Sequence, residues 1–249
     1  MNSQIVDFFD ATYLKTADQA HITTEQDQQF IESFVMEAIE HQYKLVMIRP
    51  NHISLAKKLI ASNKSQVLVG TVIDFPLGKS PIESKLIEID SAIGLGADDI
   101  DIVLNYEKFK DADIDAIKDE VFQCTQRCLE HQKTVKWIIE SAALTDDEIQ
   151  SVCQLIKDCV LRHFGKEKAN QVFVKSSTGF FVLSNGTSGG ATKDAIKMMI
   201  KHAHPLPVKA SGGIRNRDDF DAMIKLGVSR IGTSSALHIL QGTTSDSQY

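Results

Sequence analysis

Four charged side chains interrupt segments that otherwise have the composition of buried β-strands. Asp101 lies in DDIDIVLNY, Lys136 in TVKWIIES, Lys175 in VFVKSSTG and Lys209 in LPVKASGG. A single lysine at such a position is often explained by a strand end from which its amine reaches solvent. The same feature in four successive strands favours a shared site, because three buried ammonium groups near one carboxylate lose more by desolvation than their ion pairs return.

The chemistry that these residue types predict is nucleophilic attack on a carbonyl carbon. A partly desolvated lysine beside another cation has a lowered pKa, so part of it is a free amine near neutral pH. Such an amine forms a Schiff base, and the protonated imine accepts the electron pair released when a C–C bond breaks. Asp101 is the carboxylate available to move the protons. This mechanism needs no metal and no cofactor, and the sequence by itself does not choose the nucleophile among Lys136, Lys175 and Lys209.

Eight short β-branched runs, most of them followed by an amphipathic segment, must position these residues. The runs are Val6–Tyr13, Leu45–Ile48, Val67–Ile73, Asp99–Leu104, Thr134–Ile139, Val172–Ser176, Val208–Ala210 and Arg230–Gly232. Eight such repeats in 249 residues predict an α/β fold of the (β/α)8 TIM-barrel type, whose active sites lie at the carboxyl ends of the strands. A doubly wound open sheet is disfavoured because no G-x-G-x-x-G fingerprint follows the first strands.

The chain is predicted to form a single domain. No Gly/Ser-rich or Pro-rich linker divides it, so we expect one barrel over residues 1–249. Residues 242–249, GTTSDSQY, are polar and lack apolar anchors, and we expect them to form a flexible tail. The helix signals agree with the strand pattern, since Thr145 and Glu148 have capping-box spacing and Asn216 is a candidate N-cap.

Two loop segments have the composition of a phosphate cradle. Ser211-Gly-Gly-Ile-Arg215 follows the seventh strand, and Gly232-Thr-Ser-Ser235 follows the eighth, ahead of a short final helix. Glycines allow backbone N–H groups to approach an anion, and a helix N-terminus attracts negative charge. Barrels commonly bind phosphate here, and Thr178-Gly179 after the sixth strand would close the cradle. Either segment alone would be an ordinary turn, but together they predict a small phosphorylated aldehyde or sugar as substrate.

Composition and charge exclude several other classes of function. The chain has 27 Lys and Arg against 33 Asp and Glu, a net charge of −6, so we expect no nucleic-acid partner. No apolar run approaches the roughly 18 residues of a membrane span and the N-terminus lacks a signal-peptide pattern, which predicts a cytoplasmic protein without a membrane partner. The 4 cysteines fall in helical segments and are expected to be reduced, packed thiols rather than zinc ligands.

Several motifs, taken together and in order, resemble those of a known family. They are FFDATYLK, TVIDFPLGK, GADDIDIVLNY, VKWIIES, VFVKSSTGF, GGAT, VKASGGIR and RIGTSS, and they cover nearly the whole chain. This pattern resembles the 2-deoxy-D-ribose-5-phosphate aldolase family, class I aldolases that form a Schiff base. The resemblance implies a TIM barrel and the reversible cleavage of 2-deoxy-D-ribose 5-phosphate to acetaldehyde and D-glyceraldehyde 3-phosphate, in deoxynucleoside catabolism.

The resemblance also implies roles for individual residues. Lys175 matches the Schiff-base lysine, Lys209 the second active-site lysine and Asp101 the proton-shuttling aspartate. Lys136 and Asp10 match polar positions beside them. The phosphate contacts implied by the resemblance are Gly179, Gly212, Gly213, Arg215, Ser234 and Ser235.

Other positions bear on the pocket and on assembly. Tyr249 is the last residue and stands where some family members have a tyrosine in a mobile tail that assists proton transfer. Met47 and Arg49 depart from the cysteine and asparagine that related sequences often have, which concerns the pocket wall more than the mechanism. Phe180, directly after Thr178-Gly179, is either apolar lining of the pocket or core. A homodimer is common in the family, but no exposed apolar stripe in the sequence marks an interface, and the oligomeric state stays open between a homodimer and other assemblies.

Two other functions stay open at this stage. One is another Schiff-base barrel aldolase, or a transaldolase, that acts on a larger ketose phosphate and differs mainly in the size of its pocket. The other is a phosphate-binding barrel without catalysis, which predicts saturable ligand binding and no imine. Release of acetaldehyde would separate the first of these from the reaction named above, and formation of an imine would separate the second.

Overall fold

The computed structural model describes residues 5–184, 186 and 189–243, and its strands close into a barrel. Its eight parallel strands are β1 Phe9–Tyr13, β2 Leu45–Ile48, β3 Leu68–Ile73, β4 Asp99–Val103, β5 Thr134–Ile138, β6 Val172–Lys175, β7 Val208–Ser211 and β8 Arg230–Thr233. They follow one another around the barrel in chain order, and β1 closes it by pairing with β8, with Phe9 opposite Ile231. The predicted (β/α)8 TIM barrel is confirmed.

Helices connect the strands and cover the outside of the barrel. The helices of the described residues are α1 Ala17–Ala20, α2 Thr24–His41, α3 Ile53–Ser62, α4 Ile82–Gly94, α5 Tyr106–Lys110, α6 Ile114–Glu130, α7 Asp146–Phe164, α8 Lys193–Ala203, α9 Arg217–Leu226 and α10 Ala236–Gln241. The two predicted N-caps are confirmed, because the side chain of Thr145 accepts the N–H of Glu148 and that of Asn216 accepts the N–H of Asp219. Each such cap stabilises its helix by about 1 kcal/mol.

Seven of the eight predicted strands agree with the structure to within one residue at each end. The first was predicted to begin at Val6, and this boundary is wrong. Val6–Phe8 form a 3₁₀ turn in which the N–H of Phe9 donates to the carbonyl of Val6, so the strand starts only at Phe9. None of the three side chains of this turn is buried, and Asp7 in its middle is exposed, so the alternation of a half-buried strand begins only at Phe9.

Side chains along each strand alternate between two environments. Ile100 of β4 and Trp137 of β5 pack in the apolar layer between strands and helices, where the indole N–H of Trp137 donates to Thr125 Oγ1 (3.0 Å). Asp101 and Lys136 are neighbours of these residues in sequence and therefore face the interior of the barrel. The pairing of β4 with β5 places Asp101 directly opposite Lys136.

The interior of the barrel is divided into a charged sector and an apolar sector. The charged sector comes from β1 and from β4 to β8, and its residues are Asp10, Asp99, Asp101, Lys136, Lys175, Lys209 and Arg230. The apolar sector comes from β2 and β3, and includes Leu45, Met47 and Val72. A Cβ at Gly70 of β3 would lie 2.5 Å from Met47 Cε, so glycine at this position allows the apolar side chains to close together.

Among the described residues, no helix is both long enough and apolar enough to cross a membrane. The four cysteines are free and buried in α6 and α7, as expected for packed thiols. Burial raises the pKa of Cys124 and of Cys153 to about 12, so both thiols stay protonated at neutral pH.

Candidate active site

The carboxylate of Asp101 binds three lysines inside the barrel. Its Oδ2 accepts hydrogen bonds from Nζ of Lys175 (2.9 Å) and of Lys209 (2.8 Å), and its Oδ1 accepts one from Nζ of Lys136 (3.0 Å). The strand register explains this convergence, because Lys175 is opposite Lys209 and Asp101 is opposite Lys136. Paired strands lie about 4.8 Å apart, so side chains on the same face come within reach of one another. All four residues are buried.

Three further charged residues lie beside this group, and two of them were not predicted as site residues. Oδ2 of Asp10 lies 2.6 Å from Nζ of Lys209, and Oδ1 of Asp10 accepts the Nε–H of Arg230 (2.6 Å). Oδ2 of Asp99 accepts a hydrogen bond from Nζ of Lys136 (2.6 Å). The structure thus places Asp10 among the lysines and adds Asp99 and Arg230. Arg230 faces the interior because it opens β8 opposite Lys209.

The surroundings give Lys175 a different protonation behaviour from Lys136. Burial lowers the pKa of Lys175 to about 8; Asp101 opposes this effect, and Lys209 and Lys136 reinforce it. Burial also acts against the charge of Lys136, but the three aspartates around that residue outweigh it and raise its pKa. Burial alone would raise the pKa of Asp101, and the three lysines hold it well below its usual range. Burial is therefore a larger cause of the lowered pKa of Lys175 than the neighbouring cations.

Lys175 differs from the other two lysines by its access to a cleft at the carboxyl end of the barrel. The cleft is walled by the loops after β1, β6, β7 and β8. Lys175 lines it, whereas the side chains of Lys136 and Lys209 lie deeper and are 0% exposed, against 3% for Lys175. A carbonyl compound in the cleft therefore meets the amine with the lowered pKa first.

The two loops predicted to bind phosphate line another side of the same cleft. Gly212 and Gly213 follow β7 with φ of 91° and 80°, in the left-handed region that favours glycine. A Cβ at Gly212 would lie 2.8 Å from the Cα of a glycine in the loop before α8, so the two backbones could not approach as they do. Arg215 and Ser234 line the cleft, and Ser235 beside them is buried. These loops offer backbone N–H groups, hydroxyls and a guanidinium to an anion.

Comparison with known proteins connects this arrangement with a family. Residues 10–243 match the family model described as DeoC/LacD family aldolase. The chain belongs to the DeoC/LacD family of aldolases. Deoxyribose-phosphate aldolase of Clostridium perfringens (strain SM101) is 38% identical to it over 236 residues, which are 94% of this chain and 97% of that protein. The resemblance found from the motifs is thereby confirmed.

Further relatives agree in sequence and in structure. Deoxyribose-phosphate aldolase of Staphylococcus carnosus (strain TM300) is 36% identical over 95% of this chain and 99% of its own. The solved structure of deoxyribose phosphate aldolase from Aeropyrum pernix, a tetramer, matches with a TM-score of 0.77 and 26% identity over 97% of this chain and 91% of that chain. A solved aldolase called QR15 matches with a TM-score of 0.79 and 29% identity, over 95% and 94% of the two chains.

In this aldolase, a carboxylate that was not predicted as a site residue organises the turn after β6. Glu140 follows β5 with φ of 52° and accepts hydrogen bonds from the hydroxyl of Ser177 (2.6 Å) and from the N–H (3.2 Å) and the hydroxyl of Thr178. The N–H of Gly179 donates to Ser177 Oγ (3.0 Å), and that of Phe180 to Thr178 Oγ1 (3.0 Å). Thr178 and Gly179 thus line the cleft with their N–H groups already bound to protein oxygens.

The remaining predicted positions within the described residues are Gly232, Met47 and Phe180. Gly232 faces the interior, where a Cβ would lie 3.1 Å from Lys209 Cε, so its lack of a side chain leaves room for that lysine. Met47 is buried in the apolar sector, and Phe180 packs against the same apolar residues from the loop after β6. Tyr249 and the rest of the chain after residue 243 lie outside the described residues.

Proposed function

We propose that this aldolase cleaves 2-deoxy-D-ribose 5-phosphate reversibly to acetaldehyde and D-glyceraldehyde 3-phosphate, with Lys175 as the nucleophile. The observation that carries the proposal is the position of Lys175: it alone of the three lysines around Asp101 lines the cleft, and its pKa is about 8. The relatives named deoxyribose-phosphate aldolase, at 36% and 38% identity over nearly the whole chain, support the choice of substrate.

The reaction begins with attack of the neutral Nζ of Lys175 on C1 of the open-chain aldehyde. The carbinolamine loses water and gives a protonated imine. The C3 hydroxyl then gives up its proton, the C2–C3 bond breaks, and its electron pair moves into the imine to form an enamine. D-Glyceraldehyde 3-phosphate leaves, the enamine takes a proton at C2, and water hydrolyses the resulting imine to acetaldehyde and the free amine. No electrons are gained or lost overall.

Asp101 and Lys209 are the groups proposed to move these protons. Asp101 Oδ2 lies 2.9 Å from the reacting nitrogen and 2.8 Å from Nζ of Lys209, so one carboxylate oxygen links the two amines. This spacing lies within the range over which a general acid or base acts directly. Lys136 and Asp10 hold the pair in place, because they bind Asp101 and Lys209 respectively.

The charges inside the barrel favour a neutral Lys175 before substrate binds. Without Lys175 the charged sector contains three carboxylates and three cations, which are Asp10, Asp99 and Asp101 against Lys136, Lys209 and Arg230. A protonated Lys175 would add a positive charge to a desolvated group that is already balanced. The iminium ion restores a positive charge on the same nitrogen, next to Asp101, at the moment when the reaction needs an electron acceptor.

The phosphate group of the substrate is proposed to lie against the loops after β7 and β8. Arg215 supplies a guanidinium that can bind two phosphate oxygens at once, and Ser234 and Ser235 supply hydroxyls. Gly212 and Gly213 leave the backbone accessible to an anion. Thr178, Gly179 and Gly232 complete the wall of the cleft, and Tyr249 is proposed to reach it from the tail, residues 242–249, of a single barrel domain.

The proposal includes a cytoplasmic homodimer without a nucleic-acid or membrane partner. The relative from Aeropyrum pernix is a tetramer, so a dimer and a tetramer are distinguishable outcomes. Light scattering coupled to size-exclusion chromatography measures the mass in solution, and twice 27.6 kDa is expected. A mass of one or four chains would overturn the dimer, and recovery of the native protein in the membrane fraction would overturn the cytoplasmic location.

Borohydride trapping tests the nucleophile. The protein is incubated with acetaldehyde, reduced with sodium borohydride and digested, and the modified lysine is found by mass spectrometry. An ethyl adduct on Lys175 is expected, because imine formation needs a neutral amine that faces the cleft. An adduct confined to Lys136 or Lys209 would support a Schiff-base aldolase and overturn the assignment of Lys175 as the nucleophile. The absence of any adduct would support a phosphate-binding barrel without catalysis.

Product analysis tests the substrate. Acetaldehyde released from 2-deoxy-D-ribose 5-phosphate is measured by coupling to alcohol dehydrogenase and NADH. Release of dihydroxyacetone phosphate from a ketose phosphate is measured in parallel by coupling to glycerol-phosphate dehydrogenase. The first signal without the second is expected, and the reverse would favour an aldolase for larger ketose phosphates.

A further inference from the structure

Two charged residues reach the interior of the barrel from the end opposite the cleft. Asp99 is the first residue of β4 and Arg230 the first residue of β8, so both lie at the amino ends of their strands. Both are buried, and neither lines the cleft. The reaction proposed above gives neither residue a step. We call Asp99 and Arg230 the lower pair.

Arg230 fixes the orientation of the carboxylate of Asp10. Its Nε donates to Oδ1 of Asp10 (2.6 Å), and its Nη2 lies against the same oxygen. The other oxygen, Oδ2, is left to face Lys209, whose Nζ lies 2.6 Å away. Burial would raise the pKa of Asp10, but the three cations beside it hold it below its usual range, and Arg230 contributes most among them. Asp10 therefore stays ionised and remains paired with Lys209.

Asp99 has a corresponding contact with the third lysine. Its Oδ2 accepts a hydrogen bond from Nζ of Lys136 (2.6 Å), which also donates to Oδ1 of Asp101 (3.0 Å). The same oxygen of Asp99 lies 3.7 Å from Nη2 of Arg230, so the two members of the lower pair attract each other inside the barrel. One lysine thus separates Asp99 from the carboxylate that binds the nucleophile.

The two members of the lower pair have opposite charges and lie at similar distances from the nucleophile. Arg230, Lys209 and Lys175 are successive register partners on β8, β7 and β6, so two strand spacings, or about 10 Å, separate Arg230 from Lys175. Asp99 is joined to Lys175 by three successive hydrogen bonds of 2.6, 3.0 and 2.9 Å, which give a similar separation. At about 10 Å and an effective dielectric constant of about 20, one charge shifts the ionisation of another by about one pH unit.

We propose that Asp99 and Arg230 are positioning residues of the reaction, which act on Lys175 through the ions that lie between them and the cleft. The inference rests on the proposed function, because it concerns how the nucleophile assigned there is kept ready to attack. Arg230 adds a positive charge that disfavours a proton on Lys175, and Asp99 adds a negative charge that favours one. With both present, these two effects oppose each other. The charged groups that face the lower pair inside the barrel are Asp10, Asp101, Lys136, Lys175 and Lys209.

Opposite changes of charge provide the test. Arg230→Met removes the positive charge, Asp99→Asn removes the negative charge with little change of shape, and the double variant removes both. Arg230→Lys keeps the positive charge and is the conservative variant. Asp98→Asn is the matched control, because Asp98 directly precedes Asp99 but binds Lys57 of α3 (3.0 Å). Thermal unfolding of each variant monitors the fold.

The first measurement is the pH midpoint of borohydride trapping at Lys175 with acetaldehyde, which should lie near pH 8 in the wild type. Arg230→Met should raise this midpoint by about one pH unit, and Asp99→Asn should lower it by about one. At pH 7 the trapping rate should then fall by about tenfold in the first variant and rise by about fivefold in the second. The double variant, Arg230→Lys and Asp98→Asn should each stay within about 0.3 pH units of the wild type.

The second measurement is the pH profile of kcat/KM for 2-deoxy-D-ribose 5-phosphate. This quantity reports ionisations of the free enzyme, so its lower midpoint should move with that of trapping. At pH 10, where most of the Lys175 amine is neutral in every variant, the kcat/KM values should agree within about threefold. A merely structural role of the lower pair would instead lower kcat/KM at every pH.

The outcomes for the single variants decide the inference. If both midpoints move in the same direction, or if neither moves relative to Asp98→Asn, Asp99 and Arg230 only stabilise the fold and the inference is wrong. If Arg230→Met does not fold, the other two variants decide. Asp99→Asn must then have a lowered midpoint and the double variant a midpoint near that of the wild type.

The same data separate this inference from the proposed function. The expected order of midpoints in trapping, without cleavage of 2-deoxy-D-ribose 5-phosphate, would support the inference and overturn the substrate. Normal cleavage with trapping at Lys175, but with unchanged midpoints, would support the proposed function and overturn the inference. If the wild type is not modified at Lys175, both the nucleophile and the inference that rests on it are wrong.

Discussion

Replacement of Lys209 by methionine should raise the pKa of Lys175 and move imine formation to more alkaline pH. Lys175 and Lys209 both donate to Oδ2 of Asp101, so their nitrogens share one acceptor. The positive charge of Lys209 disfavours protonation of Lys175. Its ammonium group also takes one of the hydrogen bonds that Oδ2 of Asp101 can accept. Lys209→Met removes both effects, and each removal makes Lys175 easier to protonate. The sign of the change is therefore the same for both causes.

The hydrogen-bond distances set the size of the effect. Because the two bonds are 2.9 and 2.8 Å long, the nitrogens are at most about 5.7 Å apart. Two charges at that separation interact by about 3 kcal/mol at an effective dielectric constant of about 20, which is equivalent to about two pH units. The pH at which half of the Lys175 amine is neutral should thus move from about 8 to about 10. At pH 7 the fraction of neutral amine then falls by about a hundredfold.

The assay is the rate of borohydride trapping with acetaldehyde at Lys175, measured from pH 6 to pH 11 by mass spectrometry of the modified peptide. Wild type should show a midpoint near pH 8. Lys57→Met is the control, because it also removes a lysine that pairs with an aspartate, Asp98 (3.0 Å), which precedes β4 at the other end of the barrel. If the pH midpoint of trapping in Lys209→Met equals that in Lys57→Met, the electrostatic account is refuted.

Three further predictions follow from the same site. Lys175→Ala should abolish the adduct and lower the rate of cleavage of 2-deoxy-D-ribose 5-phosphate by at least about a thousandfold. Lys193→Ala on α8 is the control and should do neither. Normal turnover in Lys175→Ala would rule out the imine. Arg215→Met should raise KM for the phosphorylated sugar about tenfold or more and leave acetaldehyde trapping unchanged; an unchanged KM would remove Arg215 from the phosphate site. Glu140→Leu should lower the free energy of unfolding in urea by at least about 2 kcal/mol, because buried donors of Ser177 and Thr178 lose their acceptor, and Glu140→Gln should lose less; equal losses would refute this.

The sequence predicts the barrel well because its signals are local and repeated. A charge inside a β-branched run is conspicuous, and the alternation of side chains along a strand places it in the interior. The structure brings Asp101, Lys136, Lys175 and Lys209 together for this reason. The prediction needed only the order of the strands, which a barrel of successive βα units follows directly.

Asp99 and Arg230 could not be recognised in the same way. Asp98 and Asp99 are consecutive, yet Asp98 binds Lys57 at the start of β4 while Asp99 points inward to Lys136. An arginine at the first position of a strand looks like a loop residue that reaches solvent. Only the register with β7 shows that Arg230 faces the interior, and register is a property of two strands.

The choice of the nucleophile depends on one strand boundary. Lys175 is the last residue of β6, whereas Lys136 and Lys209 lie inside β5 and β7. In a TIM barrel the last residue of a strand lies at the rim, where the cleft opens. The strand predicted from the sequence runs one residue further, to Ser176, and so hides this difference. An error of one residue is ordinary for a boundary, but here it separates the amine that reaches the cleft from the two that lie deeper.

The interior of the barrel acts on the amine of Lys175 in two ways. The other residues of the charged sector are three carboxylates and three cations, so no net negative charge stabilises a proton on Lys175. Burial inside the barrel is the largest cause of its lowered pKa. The iminium ion formed from this amine regains a positive charge beside Asp101, whose carboxylate oxygen lies 2.9 Å from the same nitrogen. Activation of the nucleophile and stabilisation of the iminium ion therefore depend on the same buried group of charges, and removal of one of these charges should change both together.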